Sequence, residues 1–190
     1  MKKFELTSEF VVNIFGIKLF KIKALIKFGD VDAGELGGYI EKEENVDQSG
    51  NAWVSGNAQV YGNAWVSGDA WVYGDAQVSG NAQVYGNARV SGDAWVYGDA
   101  RVSGNAQVEK STHLFQLGAL GSRDGFTTFF RVKAGQIHVV CGCFYGDIDK
   151  FEEAVHKTHA GTKHEKAYML AIALAKSQIE LDEVTETAEE

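Results

Sequence analysis

Two sets of side chains in this sequence could do chemistry, and they lie in different halves. The first set is C-terminal. All five histidines fall at or after position 113, and the only cysteines are Cys141 and Cys143. His138, Cys141 and Cys143 come nearest to a metal-ligand group. Zinc sites favour a C-x2-C pair with a second pair at range, and C-x-C with scattered histidines does not match that spacing. No metal is expected. A cysteine beside a histidine can also be a nucleophile, and Cys141 or Cys143 with His156 or His159 would be the pair. Strand alternation instead puts both cysteines on the face of Ile137 and Val139, as packing residues. Arg123 and Asp124 lie between Gly121 and Gly125. An arginine in a glycine-flanked turn, with backbone N–H groups exposed, can hold a phosphate or carboxylate, so both are ligand-binding candidates.

The second set is aromatic. The chain has four tryptophans, Trp53, Trp65, Trp71 and Trp95, interleaved with tyrosines and with Arg89. Rings of this kind stack on bases or on other chains. What they do depends on the element that positions them.

That element runs from Gly50 to Glu109. It is ten six-residue units without insertion, each with Gly first, Asn or Asp second, Ala third and Val fifth. A fixed short period decides the fold before local propensity does. Read from each Val, the pattern is an aliphatic residue with a small one four places on, which resembles the hexapeptide repeats of left-handed parallel β-helices. The resemblance implies three units per triangular coil, with Val54, Val60 and Val66 pointing into one coil. Gly with Asn or Asp suits the corners, because both tolerate left-handed backbone. The absence of proline leaves every strand N–H free to pair.

Outward positions form columns on the three faces. One column reads Trp53, Trp71, Arg89, Gln107; Arg89 is expected over Trp71 as a cation–π contact. The residue after Val alternates Ser and Tyr, so Tyr73 stands between Ser55 and Ser91 and Tyr61 above Ser79 and Tyr97. On this reading all four tryptophans and four tyrosines face outward. Trp53, Trp71, Tyr73, Arg89 and Trp95 are therefore candidates for stacking a ligand, and the aromatic faces for an interface. Asp75 and Asp93 fall on adjacent coils, close enough to repel mildly.

The chain has 190 residues and a net charge of −8. That size fits one elongated domain and a small second one, and the acidity argues against binding a nucleic-acid backbone. Two cysteines so close together are no disulfide framework, and a reducing cytoplasm is expected. Neither a secretory signal nor a membrane helix is read.

Residues 1–49 read as a β cap. Phe10–Gly16 leads into an alternating segment over 17–25, whose Lys18, Lys21 and Lys23 are expected on a solvated strand edge. Ile40 and Val46 are six apart and mark a degenerate first coil. Residues 110–190 break the repeat and read as a separate α/β unit. It comprises a strand at 113–120, a turn at 121–125, and a hairpin of 126–132 with 137–144. A helix capped by Asp149 with Glu152 follows, its face formed by Ile148, Phe151 and Val155. After Gly161 comes a second helix from His164 to about Leu181, with Tyr168, Leu170, Ile172, Leu174 and Ile179 on its apolar side. Glu180–Glu190 is a solvated acidic tail.

The segment LGGYIEKEENV, followed by GNAxVYGDAxVSG repeats, resembles a family of phage and prophage proteins labelled polymer-forming or hexapeptide-transferase-like. The C-terminal pattern TFFRxxxGxIxVxCGCFxGxxxxFxxxV is similar to a small phage domain. The resemblance implies a phage-type protein in the host cytoplasm and a homotrimer. It also brings acyl transfer into view, since hexapeptide acyltransferases use a histidine on or near the coil. Here no repeat contains His or an insertion. The same absence removes a γ-type carbonic anhydrase. No catalytic residue and no cofactor are expected.

The resulting expectation is a mainly β chain, with a left-handed β-helix between an N-terminal β cap and a C-terminal α/β domain. Its function is binding: a trimeric, host-directed protein that sequesters a nucleotide signal or blocks a host defence protein. The alternatives are a hexapeptide-type acyltransferase and a structural virion component.

Overall fold

The computed structural model describes residues 2–181. Its centre is a parallel β-solenoid of about four turns. Ten two-residue strands, β4 (Trp53–Val54) to β13 (Gln107–Val108), carry the repeat. They form three flat faces: β4, β7 (Trp71–Val72), β10 (Arg89–Val90) and β13 on one, β5 (Gln59–Val60), β8 (Gln77–Val78) and β11 (Trp95–Val96) on another, β6 (Trp65–Val66), β9 (Gln83–Val84) and β12 (Arg101–Val102) on the third. Partners in neighbouring coils are 18 residues apart, as in Trp53 opposite Trp71 and Val54 opposite Val72.

Every core valine and alanine of the repeat, from Ala52 to Val108, is buried. Backbone N–H groups donate to carbonyls one coil further on, as Trp53 N does to Ala70 O at 3.0 Å and Trp71 N to Ala88 O at 2.9 Å. The corner glycines have φ between +59° and +72°. At Gly80 a Cβ would also meet the backbone N of Gly98 at 2.9 Å, so position and conformation both demand glycine. The next corner position builds side-chain ladders: Asn51 Nδ2 donates to Asp69 at 2.7 Å, Asn57 to Asp75 at 3.0 Å and Asn81 to Asp99 at 3.0 Å. Asp75 thus has an amide donor on the coil above it, which offsets the repulsion from Asp93.

The N-terminal segment is an antiparallel meander of β1 (Phe4–Val12), β2 (Lys18–Ala24) and β3 (Leu36–Ile40). β2 pairs on both sides, so the expected solvated edge is corrected: Lys18, Lys21 and Lys23 sit on an interior strand. Lys18 lies 3.9 Å from the Phe10 ring centroid, and Lys21 bonds Glu9 at 3.2 Å. β3 then pairs in parallel with β5, Ile40 opposite Val60, and Val46 bridges Val66. Ile40, Val46 and Val54 therefore complete a first coil, with two extra residues between the second and third.

Carbonyls of that coil have no coil before them to bond. Lys3, 2% exposed, donates from Nζ to Ala52 O at 2.9 Å and reaches Ser49 O and Gly50 O at 3.4 Å. At another corner the buried Asn45 donates to Gly62 O and Ala64 O at 3.2 and 2.8 Å. Phe4, Ile22, Val31 and the half-buried Phe28 cover the apolar end.

The other end is closed by a four-stranded antiparallel sheet of β14 (Leu114–Leu120), β15 (Gly125–Arg131), β16 (Ile137–Cys141) and β17 (Phe144–Asp147). Thr128 Oγ1 accepts from Arg101 N at 3.1 Å, and Ala106 bridges Val132. Alternation sends Phe130, Val132 and Val140 into the solenoid core, and Phe129, Ile137 and Val139 toward helices α1 (Ile148–His159) and α2 (Lys163–Gln178). The repeat stops at residue 109, but the core continues into this sheet.

Three local expectations are corrected here. The strand thought to run to Phe144 ends at Cys141 and turns through Gly142 and Cys143, so Cys143 is exposed and off the strand. α1 is capped by Asp147, whose carboxylate accepts from Lys150 N at 2.8 Å, because β17 ends there; Asp149 and Glu152 instead bond Lys176. On α2, Ala171 and Ala175 join Tyr168 and Ile172 in the buried stripe, leaving Leu170 72% exposed and Leu174 exposed as well. The acidic tail beyond Leu181 lies outside the described residues. Among the described residues, no helix is long and apolar enough to cross a membrane.

Candidate functional site

The aromatic column behaves differently along its length. Trp53 is 1% exposed. Phe28 and Phe4 meet its ring edge-on, with centroids at 5.4 and 6.3 Å. The expectation that it faces outward is corrected: the N-terminal meander folds over this part of the first coil, which the repeat pattern does not encode. Tyr61 is likewise buried, with Phe15 against it at 6.4 Å. One coil on, Trp71 is half-buried and Arg89 lies over it at 5.1 Å, as the column predicts. Arg89 Nη1 also reaches Asp69 O at 3.4 Å. The guanidinium is held by a ring and a carbonyl, without a carboxylate partner among the described residues.

Beyond Arg89 the face runs into the hairpin joining β15 and β16. Solenoid and hairpin enclose a groove of about 780 Å³, lined by Tyr73, Asn87, Arg89, Asn105, Gln107, Lys133, Gln136 and His138. Among the described residues no Asp or Glu lines it, in a chain of net charge −8. His138 Nδ1 lies 3.3 Å from Tyr145 Oη, with the rings edge-to-face at 5.5 Å. Burial pulls the His138 pKa below that of a free imidazole, against the opposing attraction of Asp147. The groove thus offers a guanidinium, an ammonium, an imidazole, several amides and one tyrosine ring. That set fits an anion carrying further hydrogen-bonding groups.

Of the residues singled out by sequence, the groove gathers Tyr73 and Arg89, with Trp71 beneath the arginine. Trp53 is in the core. Trp95 lies on a second face, where Phe15, Ile17, Tyr61, Gln77, Ser79, Trp95 and Tyr97 line an apolar hollow of about 490 Å³. Arg123 and Asp124 lie in the loop between β14 and β15, where Arg123, but not Asp124, lines a separate cavity. The supposed metal group is dispersed. His138 faces the solenoid with Val140, Cys141 packs toward the helices, and Cys143 is in the turn. Among the described residues, no three or more His, Cys, Asp or Glu side chains are placed to hold a metal. Sequence reasoning missed Lys133 and Gln136, since nothing local to the hairpin indicates that it folds back beside Arg89. The corner column through Asn87 and Asn105 was the available signal.

Residues 58–74, 82–98 and 94–110 match the family described as the YdcK beta solenoid repeat. The match lies within the coils and their immediate continuation, and places the repeats among β-solenoid repeats. No curated protein matches the chain.

Proposed function

We propose that this protein binds its ligand without transforming it, and that the groove beside Arg89 takes a small anionic molecule, with nucleotides the best-suited class. The observation carrying this reading is the Arg89 guanidinium, fixed 5.1 Å over Trp71 in a groove that Lys133 lines and no carboxylate of the described residues enters. A phosphate would pair with Arg89 and Lys133. A base would stack on Tyr73 and bond the amides of Asn87, Asn105 and Gln136.

The assembly in this reading is a homotrimer. Phe15, Trp95 and Tyr97 are 63%, 44% and 60% exposed on one face, and Trp65 is 42% exposed on the next. Contact between two different faces is heterologous, and it closes as a three-membered ring when each contact turns the next chain by about 120°. The resemblance to phage proteins supplies the setting: a rigid host-directed scaffold that sequesters a nucleotide signal in the cytoplasm, or holds a host defence protein.

A second reading, acyl transfer, draws on His138. Burial keeps its imidazole neutral near pH 7, the form a general base requires. Calorimetric titration of the purified chain with AMP, cyclic mononucleotides, ADP-ribose and acetyl-CoA separates the two. The binding reading expects a nucleotide to bind, to be recovered intact by mass spectrometry, and to lose about tenfold in affinity with Arg89→Gln or Lys133→Gln. Turnover of acetyl-CoA that His138→Gln abolishes would establish the transferase instead. If nucleotide binding ignores both cation substitutions, the groove is the wrong site.

A further inference from the structure

The loop carrying Arg123 borders a cavity that the groove reading does not use. It lies within the C-terminal unit, between the sheet and α1, and has a volume of about 340 Å³. That is within the range of small-molecule sites. Its apolar lining includes Phe144, Phe151 and Tyr168. Phe151 meets Phe144 at 5.0 Å and Tyr168 edge-on at 5.6 Å, so the rings brace one another.

The polar groups on this cavity include no acid among the described residues. Arg123 and His159 line it, with the Cys141 and Cys143 thiols and the Ser122 and Thr158 hydroxyls. His159 is stacked on Tyr168 at 5.5 Å. Arg123 makes no hydrogen bond and no ion pair among the described residues. Its neighbours hold unusual backbone: Ala119 and Asp124 have φ of +53° and +47°. Gly121, at φ +80°, is where a Cβ would collide with the Tyr168 hydroxyl. That hydroxyl lies 3.6 Å from Cys141 Sγ, which also accepts from Thr127 Oγ1 at 3.2 Å. The inner thiol is thus engaged, and the outer one, Cys143, is exposed beside Arg123's loop.

We infer that this cavity is a second binding site, for a small aromatic carboxylate whose ring packs among Phe144, Phe151 and Tyr168 while its carboxylate pairs with Arg123. An unpaired guanidinium at the edge of an apolar, ring-lined hollow without any acid selects for a flat apolar body with one negative end. A neutral ring lacks the charge pairing, and a bare anion lacks the buried area.

The test uses the full-length chain and three probes: benzoate, its neutral isostere benzamide, and acetate. NMR titration reports affinity, and iodoacetamide modification of Cys143 with and without probe reports location. Benzoate is expected to bind more tightly than either control and to slow Cys143 alkylation. Arg123→Gln is expected to weaken benzoate about tenfold while leaving benzamide unchanged. Arg123 is exposed and unpaired, so the variant's thermal midpoint should match the parent's. Equal affinity for benzoate and benzamide, benzoate binding that ignores Arg123→Gln, or binding that leaves Cys143 alkylation unchanged would each overturn the assignment. The groove beside Arg89 is intact in this variant, so nucleotide titration of the same sample keeps the two sites' outcomes apart.

Discussion

Lys3 carries an ammonium into a site that excludes water, because the first coil has carbonyls with no coil before them. Three carbonyl oxygens and the Phe28 ring, 4.8 Å away, surround it. Burial lowers its pKa from 10.5 to about 8, and attraction to Asp47 only partly opposes this. In the folded chain Lys3 therefore loses its proton near pH 8, while the unfolded chain keeps it until 10.5. Between those values the unfolded state binds more protons, so stability rises with pH. Burial raises the pKa of Tyr145 and Tyr168 above 10, which reverses the trend only beyond that point. Urea unfolding between pH 8 and 10 should show a stabilising slope approaching about 1.4 kcal/mol per pH unit. Lys3→Met should remove that slope. A parent and variant with the same pH profile would mean that Lys3 is not desolvated.

At the scale of the element, the solenoid's economy lies in its corners. Each carries a glycine at positive φ, and from Gly50 to Gly86 each is stacked directly on the glycine of the next coil. Two glycines separate conformation from crowding. Gly16, in the β1–β2 turn, has φ +78° and nothing within 4 Å of where a Cβ would stand. Gly92, in the third coil, has φ +59°, and a Cβ there would drive into the Glu109 carbonyl oxygen. Gly16→Ala should cost about 1 kcal/mol, the backbone term alone. Gly92→Ala should cost about 3 kcal/mol or more, since overpacking against backbone adds to it. Chemical denaturation of the two variants checks this, and equal losses would show that stacking of the corners contributes nothing.

At the scale of the whole molecule, the fold is a rod closed at both ends, and what remains open is its sides. One side carries the anion-fitting groove; another carries Phe15, Trp95 and Tyr97 around an apolar hollow that continues past Trp95 toward Phe115 and Phe126. A surface of this composition on a lone chain is an aggregation liability, and in an assembly it is covered. Sedimentation velocity should report a species of three chains, and Tyr97→Glu should reduce it to one without unfolding. A parent that stays monomeric at high micromolar concentration would remove the trimer and leave the apolar side without a partner.

The repeat alone determined the coils, their columns and the Arg89–Trp71 contact. With identical units of fixed length, position in the unit decides whether a side chain points in or out, and spacing decides what it stacks on. The first coil was also legible, from Ile40 and Val46, because it borrows the same six-residue step. What the sequence did not contain is how the non-repeating ends return to the rod. Trp53 and Trp71 occupy equivalent positions in the repeat, yet one is core and the other half-buried, because Phe4 and Phe28 come from a separate meander. Lys133 joins Arg89 only because the last coil needs a cap and the β15–β16 hairpin supplies it. Cys141 and Cys143 share a parity in sequence but not a strand, since the backbone turns between them. Local periodicity fixes direction within an element; the burial of the exposed ends of the rod, which is a tertiary requirement, decided which of those directions reach solvent and which groups meet in a site.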